Sequence, residues 1–192
     1  MLLAALAHDA APRVRDIDGT WLRPFAPAGR ANVLLFVASD CPMSNAYAPE
    51  MQRICAAYAA RGVTCTLIYE DPAIDAAGVR QHLREYHFDR AHAAAEAPAA
   101  FRVAIDATRV VAAHAQASVT PQAVVVDASG TIRYRGRIDN FYVTFGKTRQ
   151  LVTVHDLRDA LDAVLSGRPV ARPDTEPLGC HIVAPDSARN EP

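Results

Sequence analysis

A cysteine followed directly by proline, Cys41-Pro42, stands where a nearly unbroken apolar run, "NVLLFVA" (32–38), gives way to a helical pattern. The run has the character of a strand covered on both faces. After Pro42 the residues Tyr47, Met51, Ile54, Cys55 and Tyr58 recur at helical spacing until Gly62 stops them. A thiol at that corner sits at a helix N-terminus, where the free N–H groups of Met43 and Ser44 point at the sulfur and the helix dipole favours negative charge. Such placement lowers a thiol pKa from about 8.5 into the range of roughly 3.5 to 7.5. Pro42 suits the first helical position, since its missing N–H would have had no intrahelical partner. The chemistry on offer is that of a thiolate attacking disulfides or hydroperoxides.

A lone thiolate forms a mixed disulfide or a sulfenic acid but needs a second thiol to turn over. Ser44, three residues on, offers the sulfur a hydrogen bond and no redox chemistry. The four cysteines, at 41, 55, 65 and 180, are too few and too scattered for a disulfide scaffold, and no pair has zinc-knuckle spacing. Cys55 and Cys65 lie inside apolar periodic segments and read as buried packing residues. That leaves Cys180 in "EPLGCHIV", on a tail rich in Pro and Gly, which would pair with Cys41 at a Cα separation below about 7 Å. The alternatives are that Cys180 is structural, incidental or bonded to another chain. Thr120-Pro121 opens the apolar run of "SVTPQAVVVD", a place where a cis bond can occur, although a trans proline opening a strand is the ordinary reading.

The elements that must position these residues follow from the pattern. A hairpin is expected at 14–25 with Asp18-Gly19 at its turn, then strands at 32–38 and 63–70 flanking the first helix. Asp75–Tyr86 reads as a helix, 88–100 as a loop with some helix, 101–106 as a short strand and 107–116 as a helix. Residues 122–139 form a hairpin turning at Ser129-Gly130. A last helix spans 153–167, with Thr153 as its cap and Asp156 in capping-box position. The order predicts one α/β domain over 13–170, a mixed sheet with helices on both faces. Residues 1–12 form a flexible N-terminus or signal remnant, and 171–192 a C-terminal tail carrying Cys180. "MLLAALA" resembles the end of a secretory signal without its basic start, so periplasmic, secreted and cytoplasmic locations all stay open.

Composition narrows the classes. Half of the 192 residues are apolar and the formal net charge is −1, with Lys147 as the only lysine, so no global field favours nucleic acid or an anionic membrane. No run approaches the roughly 18 to 20 apolar residues that span a bilayer, and no Gly-rich nucleotide loop implies an organic cofactor. Glu50 is near enough in sequence to Cys41 to relay a proton, or faces solvent; Asp40 would oppose the thiolate unless it turns away. Arg135 and Arg137 could steady an anionic intermediate, or be solvated on an edge strand. His82, His87 and His92 cluster unevenly and read as solvated surface.

"DCPMSNAYAPEM", "YRGRIDNFYVTFGK" and "PLGCHI" are similar to stretches of bacterial redoxin-domain proteins, the branch of the thioredoxin-like superfamily grouped with alkyl hydroperoxide reductase and thiol-specific antioxidant proteins. The resemblance covers roughly residues 13 to 183 and implies a thioredoxin-like fold. It makes Cys41 the reactive cysteine and Pro121 the cis proline opposite it. Thr120 becomes the residue whose backbone pairs with an extended substrate. Two departures stand out: Ser44 replaces the second cysteine of a Cys-x-x-Cys motif, and Ala38 stands where a peroxidatic site carries Thr. The expected function is a thiol-dependent oxidoreductase acting on a protein disulfide or a small hydroperoxide, with an external thiol reductant and no cofactor. Two alternatives are a copper-handling protein, with Cys41, Cys180 and His181 as soft ligands, and a catalytically silent module that binds a partner segment beside Pro121.

Overall fold

The computed structural model describes residues 11–71, 73–88 and 101–183. The expectations for most of 1–12, for 89–100 and for the last residues of the tail lie outside them. In chain order come β1 (Val14–Arg15), β2 (Trp21–Leu22), β3 (Ala31–Val37), α1 (Pro42–Ala59), β4 (Val63–Tyr69), α2 (Ala76–Glu85), β5 (Phe101–Ile105) and α3 (Val110–Ala115). They are followed by β6 (Val119–Thr120), β7 (Gln122–Asp127), β8 (Ile132–Gly136), β9 (Tyr142–Thr144), β10 (Lys147–Thr148), α4 (Asp156–Leu165) and β11 (Cys180–His181). Five strands form the central sheet in the order β5-β4-β3-β7-β8. β3, β4 and β5 run parallel, while β7 is antiparallel to both of its neighbours.

The buried runs explain the layering. Along β3, Ala31, Val33, Leu35 and Val37 enter one apolar cluster with Met51 and Ile54 of α1, Val79 of α2 and Leu157 and Leu161 of α4. Leu34 and Phe36 enter a second cluster with Val111 and Ala115 of α3 and Val14, Leu22 and Phe25 of the N-terminal hairpin. A strand with period-two side chains can be apolar throughout only if both faces are covered, and here they are. The β1–β2 hairpin turns at Gly19, whose φ of +86° lies in the region that favours glycine.

Three local expectations are corrected. Cys55 and Cys65 are buried, as expected of packing residues, but they are bonded to each other across α1 and β4 with Cα atoms 6.0 Å apart. Thr153 does not cap the last helix, which begins three residues later behind His155. Thr153 is instead tied to Asn140, whose Nδ2 donates to Thr153 Oγ1 at 2.8 Å and whose Oδ1 accepts from Thr153 N at 3.0 Å. Asp156 is buried in the first turn of α4 and held by Arg137 and Arg172 at 2.7 and 2.9 Å. A small hairpin, β9–β10, follows β8 where no separate element was expected.

The Cys55–Cys65 bridge closes a short loop, for which the loop-entropy contribution is about 2–4 kcal/mol. Replacing both residues by alanine is expected to lower the denaturant-derived stability by about that amount. The comparison requires the other disulfide to be oxidised in both proteins; identical unfolding midpoints would contradict a formed bridge.

Candidate active site

Cys41 caps α1 in an extended conformation, with φ −85° and ψ 110°. Its amide donates to Ala38 O at 3.2 Å and its carbonyl accepts from Asn45 N at 3.0 Å. The Ser44 amide points at Cys41 Sγ from 3.5 Å, so the free end of the helix faces the sulfur. Opposite lies the Thr120 carbonyl oxygen, 3.0 Å from the same sulfur, and the Thr120–Pro121 bond is cis. Cys180 is bonded to Cys41, with Cα atoms 6.1 Å apart. It belongs to β11, which pairs antiparallel with β6 so that Cys180 faces Thr120 and His181 faces Val119. Cys41, Ser44, Thr120, Pro121 and Cys180 therefore meet at one point. Cys41 is 1% exposed, and the hydroxyls of Ser44 and Thr120 are buried with no hydrogen-bond partner among the described residues.

Side chains that the sequence did not single out hold this corner. Ser39 donates from its amide and hydroxyl to the Asp71 carboxylate at 3.0 and 2.9 Å, and its carbonyl accepts from Asn45 Nδ2 at 2.9 Å. That leaves Asn45 Oδ1 as an acceptor for His82 Nε2 at 2.9 Å, while Tyr69 OH lies 2.8 Å from Nδ1. A neutral ring with its proton on Nε2, accepting from the tyrosine at Nδ1, satisfies both contacts. Burial pushes the imidazole pKa down, which favours that neutral form. His82 is thus not solvated surface: Tyr69, Tyr86 and Phe88 surround it. His87 is exposed, and His92 lies outside the described residues.

A second group lies where the parallel strands end. Glu70 directly follows β4 and is 4% exposed; neither carboxylate oxygen has a hydrogen-bond partner among the described residues. Arg109 Nε stands 3.4 Å from it, and both side chains are almost wholly buried. Arg109 also donates to Asp106 O at 2.8 Å and to the tail carbonyl of Val183 at 3.2 Å. Asp106 accepts from the amides of Val111 and Ala112 at 2.9 Å, capping α3. Burial, reinforced by Asp106 and only partly offset by Arg109, pushes Glu70 up to about 9, so it holds a proton at neutral pH. A cavity of about 160 Å3 is lined by Glu70, Arg109, Ala38, Asp40, Thr120 and Cys180, among others. The signal available in sequence was an acid closing a buried parallel strand, the end at which open α/β sheets gather their ligands.

The remaining candidates fall elsewhere. Glu50 pairs with Arg53 and Arg158, both at 2.8 Å. Arg135 binds Asp174 at 2.7 Å and Arg137 binds Asp156, so both are engaged in anchoring the tail and α4. Asp40 and His181 are exposed. Among the described residues no group of three or more His, Cys, Asp or Glu side chains converges in a way that could hold a metal ion, and no helix is long and apolar enough to cross a membrane.

A mixed five-stranded sheet with a cysteine capping the helix after β3 and a cis proline facing it defines a thioredoxin-like fold. The chain belongs to the AhpC/TSA family, whose profile matches residues 10–135. An uncharacterized conserved protein from Geobacillus kaustophilus shares 26% identity at a TM-score of 0.74, with 93% of this chain and 92% of that one covered. A hypothetical protein from Sinorhizobium meliloti shares 24% at 0.73, covering 92% of each. A secreted Mycobacterium tuberculosis disulfide oxidoreductase homologous to E. coli DsbE aligns at 0.52 with 20% identity, over 82% of this chain and 96% of that one, a likeness of fold. No curated protein matches the chain.

The raised Glu70 pKa has a definite sign. Between 4.5 and about 9 the folded protein retains a proton that the unfolded chain releases, so this group's stabilisation is full below 4.5 and is lost as pH rises towards 9. Glu70→Gln keeps the shape without the titration. Wild type is expected to lose stability relative to Glu70→Gln as chemical denaturation is repeated at rising pH across that window. Parallel profiles would contradict a protonated Glu70.

Proposed function

We propose that this protein is a thiol-dependent oxidoreductase that exchanges disulfides through Cys41 and resolves them with Cys180. The observation that carries the reading is the position of the Cys41–Cys180 bond, between the N-terminus of α1 and the strand paired to Thr120. Family membership supports thiol redox chemistry in general.

In the reducing direction, the Cys41 thiolate attacks one sulfur of a substrate disulfide. A bond forms between that sulfur and Sγ, the substrate S–S bond breaks, and the other substrate sulfur leaves as a thiolate that takes up a proton. Cys180, as a thiolate, then attacks Cys41 Sγ, releasing the second substrate thiolate and leaving the enzyme disulfide. Two electrons have passed from the enzyme to the substrate, and an external thiol reductant must restore them. In the opposite direction the same bond oxidises a dithiol. The helix N-terminus stabilises Cys41 as a thiolate when it attacks the substrate and when it leaves on reduction. Glu70, protonated and lining the same cavity as Cys180, serves as the nearby proton source for Cys180 when it is the leaving group.

Protein disulfides are favoured over hydroperoxides, because Ala38 offers no hydroxyl to hold a peroxide. The second, buried disulfide fits an oxidising compartment, periplasmic or extracellular. No observation favours copper handling.

Turnover of a protein disulfide with a small thiol reductant tests the mechanism. Cys41→Ser is expected to abolish it. Cys180→Ser is expected to slow steady-state turnover by about tenfold or more, equivalent to ~1.4 kcal/mol of barrier, and to accumulate a mixed disulfide visible by mass spectrometry. Undiminished turnover by Cys41→Ser would overturn the reading.

A further inference from the structure

The tail does more than deliver a thiol. After α4 it runs along the free edge of β8, where Arg135 N donates to Pro173 O at 2.8 Å and Thr175 N donates to Arg135 O at 3.0 Å. It then crosses to β6, pairing Cys180 with Thr120 and His181 with Val119, and Ile182 N donates to Ser118 O at 2.9 Å. The segment Leu178–Ile182 thus carries the added strand β11, and its central cysteine is bonded to Cys41. A partner segment caught in a mixed disulfide with Cys41 would need this same place.

Each position of the segment meets a different wall. Leu178 is half-buried and lines a cavity of about 240 Å3 with Tyr47, Pro121, Tyr142 and Val143. Gly179 is buried, and a Cβ there would overlap the Thr120 carbonyl group and come within 3.1 Å of Pro121 N. Those atoms are backbone at the cis peptide, so no side-chain rotation relieves the overlap. Glycine is needed here for space, since its φ does not fall in the left-handed region. Cys180 takes the bond, His181 is exposed, and Ile182 packs against the second apolar cluster.

We propose that the tail occupies the place of an external partner and displays its requirement: an extended segment of pattern apolar–Gly–Cys–any–apolar, running antiparallel to Val119–Thr120. This rests on the reading of Cys41 as the exchanging thiol. The Thr120 carbonyl and Pro121 nitrogen are the selecting atoms, and they act against any side chain directly before the partner's cysteine. In the oxidised protein the place is filled by the tail itself. A partner thiolate reaching Cys41 Sγ breaks the Cys41–Cys180 bond, Cys180 leaves as a thiolate and takes up a proton, and the partner's own strand replaces β11.

The test uses the full-length Cys180→Ser protein and two peptides whose cysteine is activated as a mixed disulfide with thionitrobenzoate. One has the sequence Pro-Leu-Gly-Cys-His-Ile and the other has alanine in place of its glycine; released thionitrobenzoate is followed by absorbance. Ellman's reagent alone reports the intrinsic reactivity of Cys41. The glycine peptide is expected to react about tenfold or more faster than the alanine peptide. Equal rates, with Ellman's reagent reacting normally, would overturn the selection and leave Cys41 as the exchanging thiol. No reaction with either peptide or Ellman's reagent would remove the functional reading itself, and the inference with it. In the otherwise unaltered chain, Gly179→Ala is expected to weaken Cys41–Cys180 formation against glutathione by a similar factor. An unchanged equilibrium in that variant would likewise overturn the proposal.

Discussion

The end of the sheet is organised by a covalent bond and a short backbone ladder that require each other. Cys180 reaches Cys41 only because β11 pairs with β6, and β11 stays on β6 in part because the disulfide holds it there. The bond joins residues 139 apart in sequence, and closing a loop of that size restricts the unfolded chain by an amount on the order of 5 kcal/mol in the loop-entropy view. Separately from the bond, the contacts of Pro173, Thr175 and Asp174 with Arg135 tether the tail along β8. A cysteine kept on such a short leash meets its bonding partner at a high effective concentration despite their separation in sequence.

Around this bond the protein buries charge sparingly and in sets. Asp156 is held by Arg137 and Arg172, which fixes the start of α4 against the strand that carries the tail. Glu70 and Arg109 face each other at the end of β4, while Asp106 is spent on capping α3. Taking an ion out of water costs several kcal/mol unless it is paired or neutralised. Glu70 takes the second course by keeping its proton. An uncharged acid beside a cavity that Cys180 also lines is therefore a consequence of burial.

Much of the reactive corner was legible in the sequence because its signals are local. The apolar run before Cys41, Pro42 at the first helical position and the stop at Gly62 each have a short-range cause, and Thr120-Pro121 could be matched by resemblance. What escaped notice depends on how distant segments meet. Cys55 and Cys65 look like packing residues until β4 brings one alongside the other. His82 stands in a polar stretch, yet Tyr69, Tyr86 and Phe88 enclose it and Asn45 turns it into a brace for the Cys41 loop. Asp156 mimics a capping residue in sequence, and two arginines from other segments claim it. Glu70 carries no local mark of its burial beyond its position at a strand end.

The most direct measurement is differential alkylation with peptide mass mapping, applied to protein in which Cys41 and Cys180 have been reduced, before and after a stoichiometric amount of oxidised glutathione. A disulfide joining the Cys41 and Cys180 peptides, with Cys55–Cys65 unchanged throughout, is the expected result. Cys41 halted as a glutathione adduct while Cys180 remains free to alkylate would contradict a tail-resolved cycle, and the second thiol would then have to come from another protein.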